Sequence, residues 1–285
     1  MGNRPGEQMS AWRRLRLKGV VPLEVWDLVT ECGPLWECRD LPDFPRLLMQ
    51  AIEDLRVGRG LRIGGALPAE VCRCVDFLFV GGGDTHRPGL AEALAGGTLP
   101  FYISPDGVFV GEAGGFALLR EAGLSGPVVD VGQTAIKVST ESQRLILPRR
   151  FEQLPLASVV GEGKEQFRRG LREFVAGAIR QALGCRQSPL PGGALVLALP
   201  CELDACCVPG PCSYPGLEGD AAFVEDVLHL AGLGGWTALV LNDAELAAAS
   251  ARRSPHVPAD RTTLVLTLGF GVGAALLLPG DGHVL

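Results

Sequence analysis

The sequence predicts an α/β protein built as two lobes. Three observations predict it. Residues 77–120 alternate strand, helix, strand, helix. Residues 126–251 run strand-strand-strand-helix-strand-helix-strand-helix. Four of the strands end in turns rich in glycine or carrying an aspartate. With 285 residues and 47% hydrophobic composition, the chain has material for one large or two medium domains.

Residues 1–43 carry the least pattern. Arg13, Arg14, Arg16 and Lys18 are interrupted by leucines and read as a solvated helix face, not a nucleic-acid tail. Residues 20–28 fit a strand or a short helix, broken at Gly33-Pro34. Phe44, Leu47, Leu48, Ala51, Ile52 and Leu55 form one apolar stripe and predict a helix over 44–57. Asp43 stands as its N-cap and Gly58 and Gly60 as its end. A buried strand over 74–80, with Cys72 and Cys74 toward the core, runs into Gly81-Gly82-Gly83-Asp84. A short helix over 88–95, a strand over 99–103, a turn at 104–107 and a small-residue helix over 111–120 follow.

The centre of the chain is Val128-Val129-Asp130-Val131-Gly132-Gln133-Thr134-Ala135-Ile136-Lys137. An apolar strand makes a sharp turn and leaves as a second strand over 135–140. Such a hairpin tip offers backbone N–H groups and a hydroxyl to an anion. The Asp130 carboxylate suits a hydrated magnesium ion. A third strand over 143–147 closes a meander. A long helix over 164–183 turns Phe167, Leu171, Phe174, Val175, Ala178, Ile179 and Ala182 inward. Then come a buried strand over 195–199, a Cys/Pro-rich loop over 200–217, a helix capped by Asp220, and a strand over 238–241. Asn242-Asp243 opens an alanine-rich helix to about 251. The strands over 262–268 and 274–278 flank a glycine-rich tip at 269–273.

Composition excludes several classes. A net charge of -6 implies no basic face for nucleic acid. No apolar run approaches the roughly 18 residues that span a membrane. Residues 1–20 lack an apolar h-region, and Gly6 stands where a myristoylation site needs Ser or Thr, so a cytoplasmic protein is expected. Nine cysteines in a reducing compartment are expected as thiols. Cys201, Cys206, Cys207 and Cys212 crowd one loop, but adjacent Cys206 and Cys207 do not suit one tetrahedral zinc; thiols are expected there and zinc is the alternative. His86 reads as an exposed histidine, and the four tryptophans as packing residues.

On these residues the chain resembles the superfamily of actin, heat-shock chaperone ATPases and sugar kinases, and most of all the ROK-type sugar kinases. Asp130-x-Gly132-x-Thr134-x-x-Lys137 is similar to their first phosphate motif. Asn242-Asp243-Ala244-Glu245 resembles the segment with the catalytic aspartate, and Gly269-Phe270-Gly271-Val272-Gly273 the second phosphate motif. Phe79-Val80-Gly81-Gly82-Gly83 looks like the adenosine motif, and Gly111 to Leu119 like the helix that usually ends these proteins.

The resemblance implies two ribonuclease-H-like lobes around a nucleotide cleft. The adenosine motif precedes the first phosphate motif here, which is the order a circular permutation would give. Residues 1–125 would belong to the second lobe, 126–260 would form the first, and 261–285 would be a hairpin completing the second. The strand over 262–268 would then share a sheet with 77–80, and residues 1–43 and 280–285 would lie in one lobe.

The implied activity is an ATP-dependent kinase that transfers the γ-phosphoryl group to a hydroxyl of a small molecule. In that scheme Asp130 holds magnesium through water. Gly132, Gln133, Thr134, Lys137, Gly269, Gly271, Gly273 and Gly81 to Gly83 (with Gly82 between) contact the nucleotide. Asp243 accepts the substrate's proton. Phe270 replaces the family's small hydroxyl residue, and the family's zinc and sugar-binding elements are absent. A non-kinase ATPase or pseudo-enzyme that regulates a partner is the alternative. A homodimer stays open.

Overall fold

The structure, a computed structural model, describes residues 11–23, 29–35, 37–57, 73–132, 134–149, 162–184, 193–210, 216–269 and 271–280. The chain is α/β and divides into two compact units. Of the described residues, those within 11–16 and 115–246 form one unit and those within 17–114 and 247–280 the other.

The first unit is organised on a six-stranded sheet. Its strands are β1 (Ala11–Arg14), β7 (Val128–Val131), β8 (Ala135–Ser139), β9 (Arg144–Pro148), β10 (Ala194–Leu199) and β11 (Thr237–Asn242). The order is β1-β11-β10-β7-β8-β9. β7, β8 and β9 pair antiparallel as a meander, while β7, β10, β11 and β1 pair parallel. β10 lies inside the sheet and every residue of its Ala-Leu-Val-Leu-Ala-Leu run is buried, as a strand covered on both faces requires. Alternate residues Val129, Val131, Ile136, Val138, Leu195, Leu197 and Val240 form a core. Against them lie Leu171, Val175 and Ile179 of α4 (Glu162–Ala182) and Phe223, Val224 and Val227 of α5 (Phe223–Leu230). Period two on the strands meets period three-to-four on the helices.

The second unit carries a five-stranded sheet of order β2-β13-β12-β5-β6. These are β2 (Val20–Leu23), β5 (Val75–Gly81), β6 (Phe101–Ile103), β12 (Thr262–Leu268) and β13 (Val272–Leu277). β12, β13 and β2 pair antiparallel, and β12, β5 and β6 pair parallel. Phe44, Leu47, Leu48, Ile52 and Leu55 of α1 (Phe44–Arg56) bury against Leu78, Val80, Leu264, Leu266 and Leu276. Leu90 and Leu94 of the short α2 (Leu90–Ala95) join them. A two-stranded piece, β3 (Val29–Thr30) with β4 (Gly33–Pro34), precedes α1. Two of the unit boundaries fall inside helices, α3 (Glu112–Glu121) and α6 (Asp243–Arg253), and another between residues 16 and 17.

The two sheets follow one plan. In each, a middle strand has an antiparallel pair on one side and parallel strands on the other. In the second sheet the middle strand is β12, with β13 and β2 on its antiparallel side and β5 and β6 on its parallel side. The expected pairing of 262–268 with 77–80 is present: Thr263 lies opposite Phe77 and Leu266 opposite Val80.

Several expectations need correction. Residues 11–14 are not a solvated helix face and do not belong with the second sheet. They extend the first sheet beside β11, with Trp12 and Arg14 on the less exposed face. Part of 20–28 is resolved in favour of a strand, because Val20–Leu23 pairs with β13; residues 24–28 lie outside the described residues. Asp43 makes no side-chain cap on α1, and its carboxylate instead lies 3.6 Å from Arg46. Asp220 does not cap α5 with its side chain, which is buried on Arg172. Cys74 is exposed, because it precedes β5 and is not part of its buried run. Gly58, Gly60 and Cys72 lie outside the described residues.

Candidate functional site

β7, β10 and β11 run parallel, and Asp130, Leu199 and Asn242 lie at or next to their carboxyl ends, with Leu199 in register with Asn242. That edge of an open α/β sheet is where backbone and side chains are free to meet a ligand. The antiparallel β8 brings Lys137 directly opposite Asp130. Its Nζ lies 2.6 Å from Asp130 Oδ2, and both side chains are about four-fifths covered, at 21% and 18% exposure. Asp130 Oδ1 is buried without a hydrogen-bond partner among the described residues. A carboxylate with one oxygen on a lysine and the other unpartnered carries open acceptor capacity.

Asp243 begins α6 immediately after β11. Burial pushes its carboxyl up from the ordinary 3.8 to about 7; the Asp130 charge pushes the same way, and Lys137 and the Ala244 N–H oppose them. Two carboxylates and one ammonium therefore share one electrostatic environment within this unit. The Asp243 Oδ1 accepts from the Ala244 N–H at 2.8 Å.

The start of α6 is held by a reciprocal cap. Asn242 Oδ1 accepts from the Ala244 N–H at 2.8 Å, and Glu245 Oε2 accepts from the Asn242 N–H at 2.8 Å. Asn242 Nδ2 donates to the Cys201 carbonyl at 2.9 Å, tying the helix start to the loop after β10. Glu245 is buried and ion-paired with Arg14 at 2.7 Å. The Asn-x-x-Glu spacing marks the cap in the sequence. No local signal marks Arg14 as its partner 231 residues away. Asn242→Ala is expected to lower stability by about 1 kcal/mol through loss of the side-chain cap, checked by urea denaturation with the slope unchanged.

The remaining candidates divide between the units. Gly132 sits at the β7–β8 tip, where an added Cβ would lie 2.9 Å from the Ala135 carbonyl. Thr134 is exposed, and its carbonyl accepts from the Arg149 N–H at 2.8 Å. Gln133 lies outside the described residues.

In the second unit Gly81 ends β5, and Gly82 takes φ +105°. A Cβ on Gly82 would fall 2.2 Å from the Leu268 carbonyl, so only glycine permits this close approach of the turn to the end of β12. Gly83 opens a single 3-10 turn, Gly83–His86, whose Asp84 pairs with Arg39 at 3.0 Å. His86 is exposed, as its sequence position suggested. Gly269 donates its N–H to the Gly271 carbonyl at 3.0 Å and closes the β12–β13 tip, while Gly273 lies opposite Thr267 in the ladder. The Gly81–Gly83 turn thus lies beside the end of β12, with Gly81 opposite Thr267 and Gly82 against Leu268. Phe270 lies outside the described residues.

The donor set around Asp130 suits magnesium in kind. Hard carboxylate oxygens, one of them unpartnered, match an ion that takes one or two carboxylates and completes its shell with water and phosphate. Among the described residues no group of three or more His, Cys, Asp or Glu side chains could hold a metal by itself. Of the described cysteines in that loop, Cys201 and Cys207 are buried and Cys206 is exposed, and burial pushes the Cys207 thiol up to about 11. Cys212 lies outside the described residues. No helix among the described residues is long and apolar enough to cross a membrane.

No protein-family model, curated protein or solved structure matches this chain.

Proposed function

We propose that the protein is an ATP-dependent small-molecule kinase that transfers the γ-phosphoryl group to a hydroxyl, with the actin-like, circularly permuted architecture its motifs resemble. One observation carries the reading. A carboxyl raised to about 7, Asp243, stands at the carboxyl end of a parallel strand in the electrostatic field of Asp130 and Lys137. A base that titrates near neutrality both exists in its proton-accepting form and retains driving force to take a proton from a hydroxyl. The common plan of the two sheets supports the architectural part of the reading.

In this reading Asp243 accepts the acceptor hydroxyl's proton. Lys137 and the backbone of Gly132 and Thr134 offset negative charge on the phosphates. Magnesium held beside Asp130 would neutralise phosphate charge.

A second reading is nucleotide binding without transfer, in a protein that regulates a partner. The Asp130–Lys137 ion pair favours it, because the lysine already neutralises the carboxylate that would face the metal. Melting in the presence of ATP and magnesium tests both. A ligand at about 100 times its Kd stabilises the folded state by about 2.7 kcal/mol, and the melting temperature is expected to rise by several degrees. No shift at saturating Mg-ATP rejects both readings. A shift accompanied by ADP release in the presence of small polyols supports the kinase, and a shift without turnover supports the regulator.

A further inference from the structure

We propose that Arg14 and Glu245 are positioning residues that hold Asp243 in its working orientation; the inference rests on the kinase reading of Asp243. β1 places Arg14 opposite Val240 of β11, and the Leu15 N–H donates to the Val240 carbonyl at 2.8 Å. From that edge the Arg14 guanidinium reaches both oxygens of Glu245, at 2.8 and 2.7 Å. The two side chains are only 8% and 3% exposed. Glu245 Oε2 in turn accepts from the Asn242 N–H. Asn242 and Asp243 share the Ala244 N–H as donor, each at 2.8 Å. A continuous path of bonds therefore runs from the sheet edge to the carboxyl group of Asp243.

The ion pair exceeds what a helix cap requires. A neutral glutamine at 245 could accept from the Asn242 amide equally well, and a buried ion pair is a poor source of net stability. What the pair adds is a fixed direction for the Glu245 carboxylate and, through it, for the turn that carries Asp243. Small displacements of a base cost rate more than they cost binding, since the reacting geometry is the part that must be met closely.

The test uses the full chain and Mg-ATP, with ADP release as turnover and amide exchange of Ala244 as a direct readout of the turn. Glu245→Gln is expected to lower kcat about 10- to 100-fold with the KM for ATP held within about twofold, and to speed Ala244 exchange. Arg14→Lys, which keeps the charge but not the planar guanidinium, is expected to lose less turnover than Glu245→Gln. If Glu245→Gln does not fold, Arg14→Gln carries the same comparison, because it leaves the Glu245–Asn242 bond in place. Parent turnover with equal kcat in the variant, or a raised KM at unchanged kcat, overturns the positioning role while leaving the kinase reading intact. Unaltered Ala244 exchange in the variant also overturns it. Absence of turnover by the parent protein removes the kinase reading, and this inference with it.

Discussion

Asp220→Ala is expected to destabilise the protein by about 3–5 kcal/mol, the cost of leaving a buried charge without its partner. Asp220 is 3% exposed. Arg172 of α4 grips it with two nitrogens, Nε at 3.0 Å and Nη2, and spends its third on Asp226 at 2.7 Å. This fork fixes the turn that leads into α5 against α4, and Arg168 reinforces it by donating to the Gly216 and Glu218 carbonyls at 2.7 Å each. Removing the carboxylate takes the acceptor from two of the guanidinium nitrogens and leaves Arg172 with Asp226 alone, whose side chain is 41% exposed. Asp220→Asn keeps one acceptor and is expected to cost less. Chemical denaturation of both variants decides the point. A loss below about 1 kcal/mol for the alanine variant would mean that Asp220 acts as an ordinary surface ion pair.

The same residue shows where the sequence was legible and where it was not. Asp220 stands a few residues ahead of an apolar helix, the local signature of an N-cap, and a local rule has no access to Arg172 forty-eight residues earlier. The strand pattern was legible because burial imposes it residue by residue. The runs at 75–81, 128–131, 194–199 and 262–268 are apolar enough to demand the interior, and glycines end or follow three of them, at 81–83, 132 and 269, where the chain turns tightly. β1 and β2 were obscure for the opposite reason. Both lie at sheet edges and are four residues long, and the burial of β1 alternates between exposed and partly covered, so little hydrophobic signal is required of them. At the candidate site, Asp130, Lys137 and Asp243 are singled out by motifs that resemble those of a kinase family. Their shared electrostatic environment depends on strand order, which brings residues 130 and 243 to one sheet edge through β10. The Asn242…Glu245 cap was readable in principle from its spacing, but the arginine that completes it comes from the opposite end of the sequence.

On the proposed kinase reading Asp243→Asn is expected to abolish most turnover, and independently of that reading it is expected to stabilise the fold at neutral pH. Asparagine cannot accept the substrate's proton, and loss of a general base typically lowers rate by about 10²–10⁴-fold. In the parent protein, turnover should climb as pH rises through about 7, where the raised carboxyl ionises. Stability runs the other way. In the unfolded chain Asp243 ionises near its ordinary 3.8, whereas in the folded protein it holds its proton to about 7. Between those values the unfolded state has released a proton that the folded state retains, so rising pH favours unfolding across this window, and the full penalty persists above it. The three-unit span corresponds to about 4 kcal/mol, and the part of the residue open to solvent brings the expected effect to about 2–4 kcal/mol. The asparagine variant has no ionisation to suppress and keeps an acceptor for the Ala244 N–H. Its melting temperature should therefore match the parent's near pH 4 and exceed it increasingly up to pH 7 to 8. An advantage that is flat with pH would show that Asp243 is not held protonated by its surroundings. A variant less stable than the parent at pH 8 would show that the carboxylate is stabilised where it stands, and would remove the physical basis for treating it as a base tuned toward neutrality.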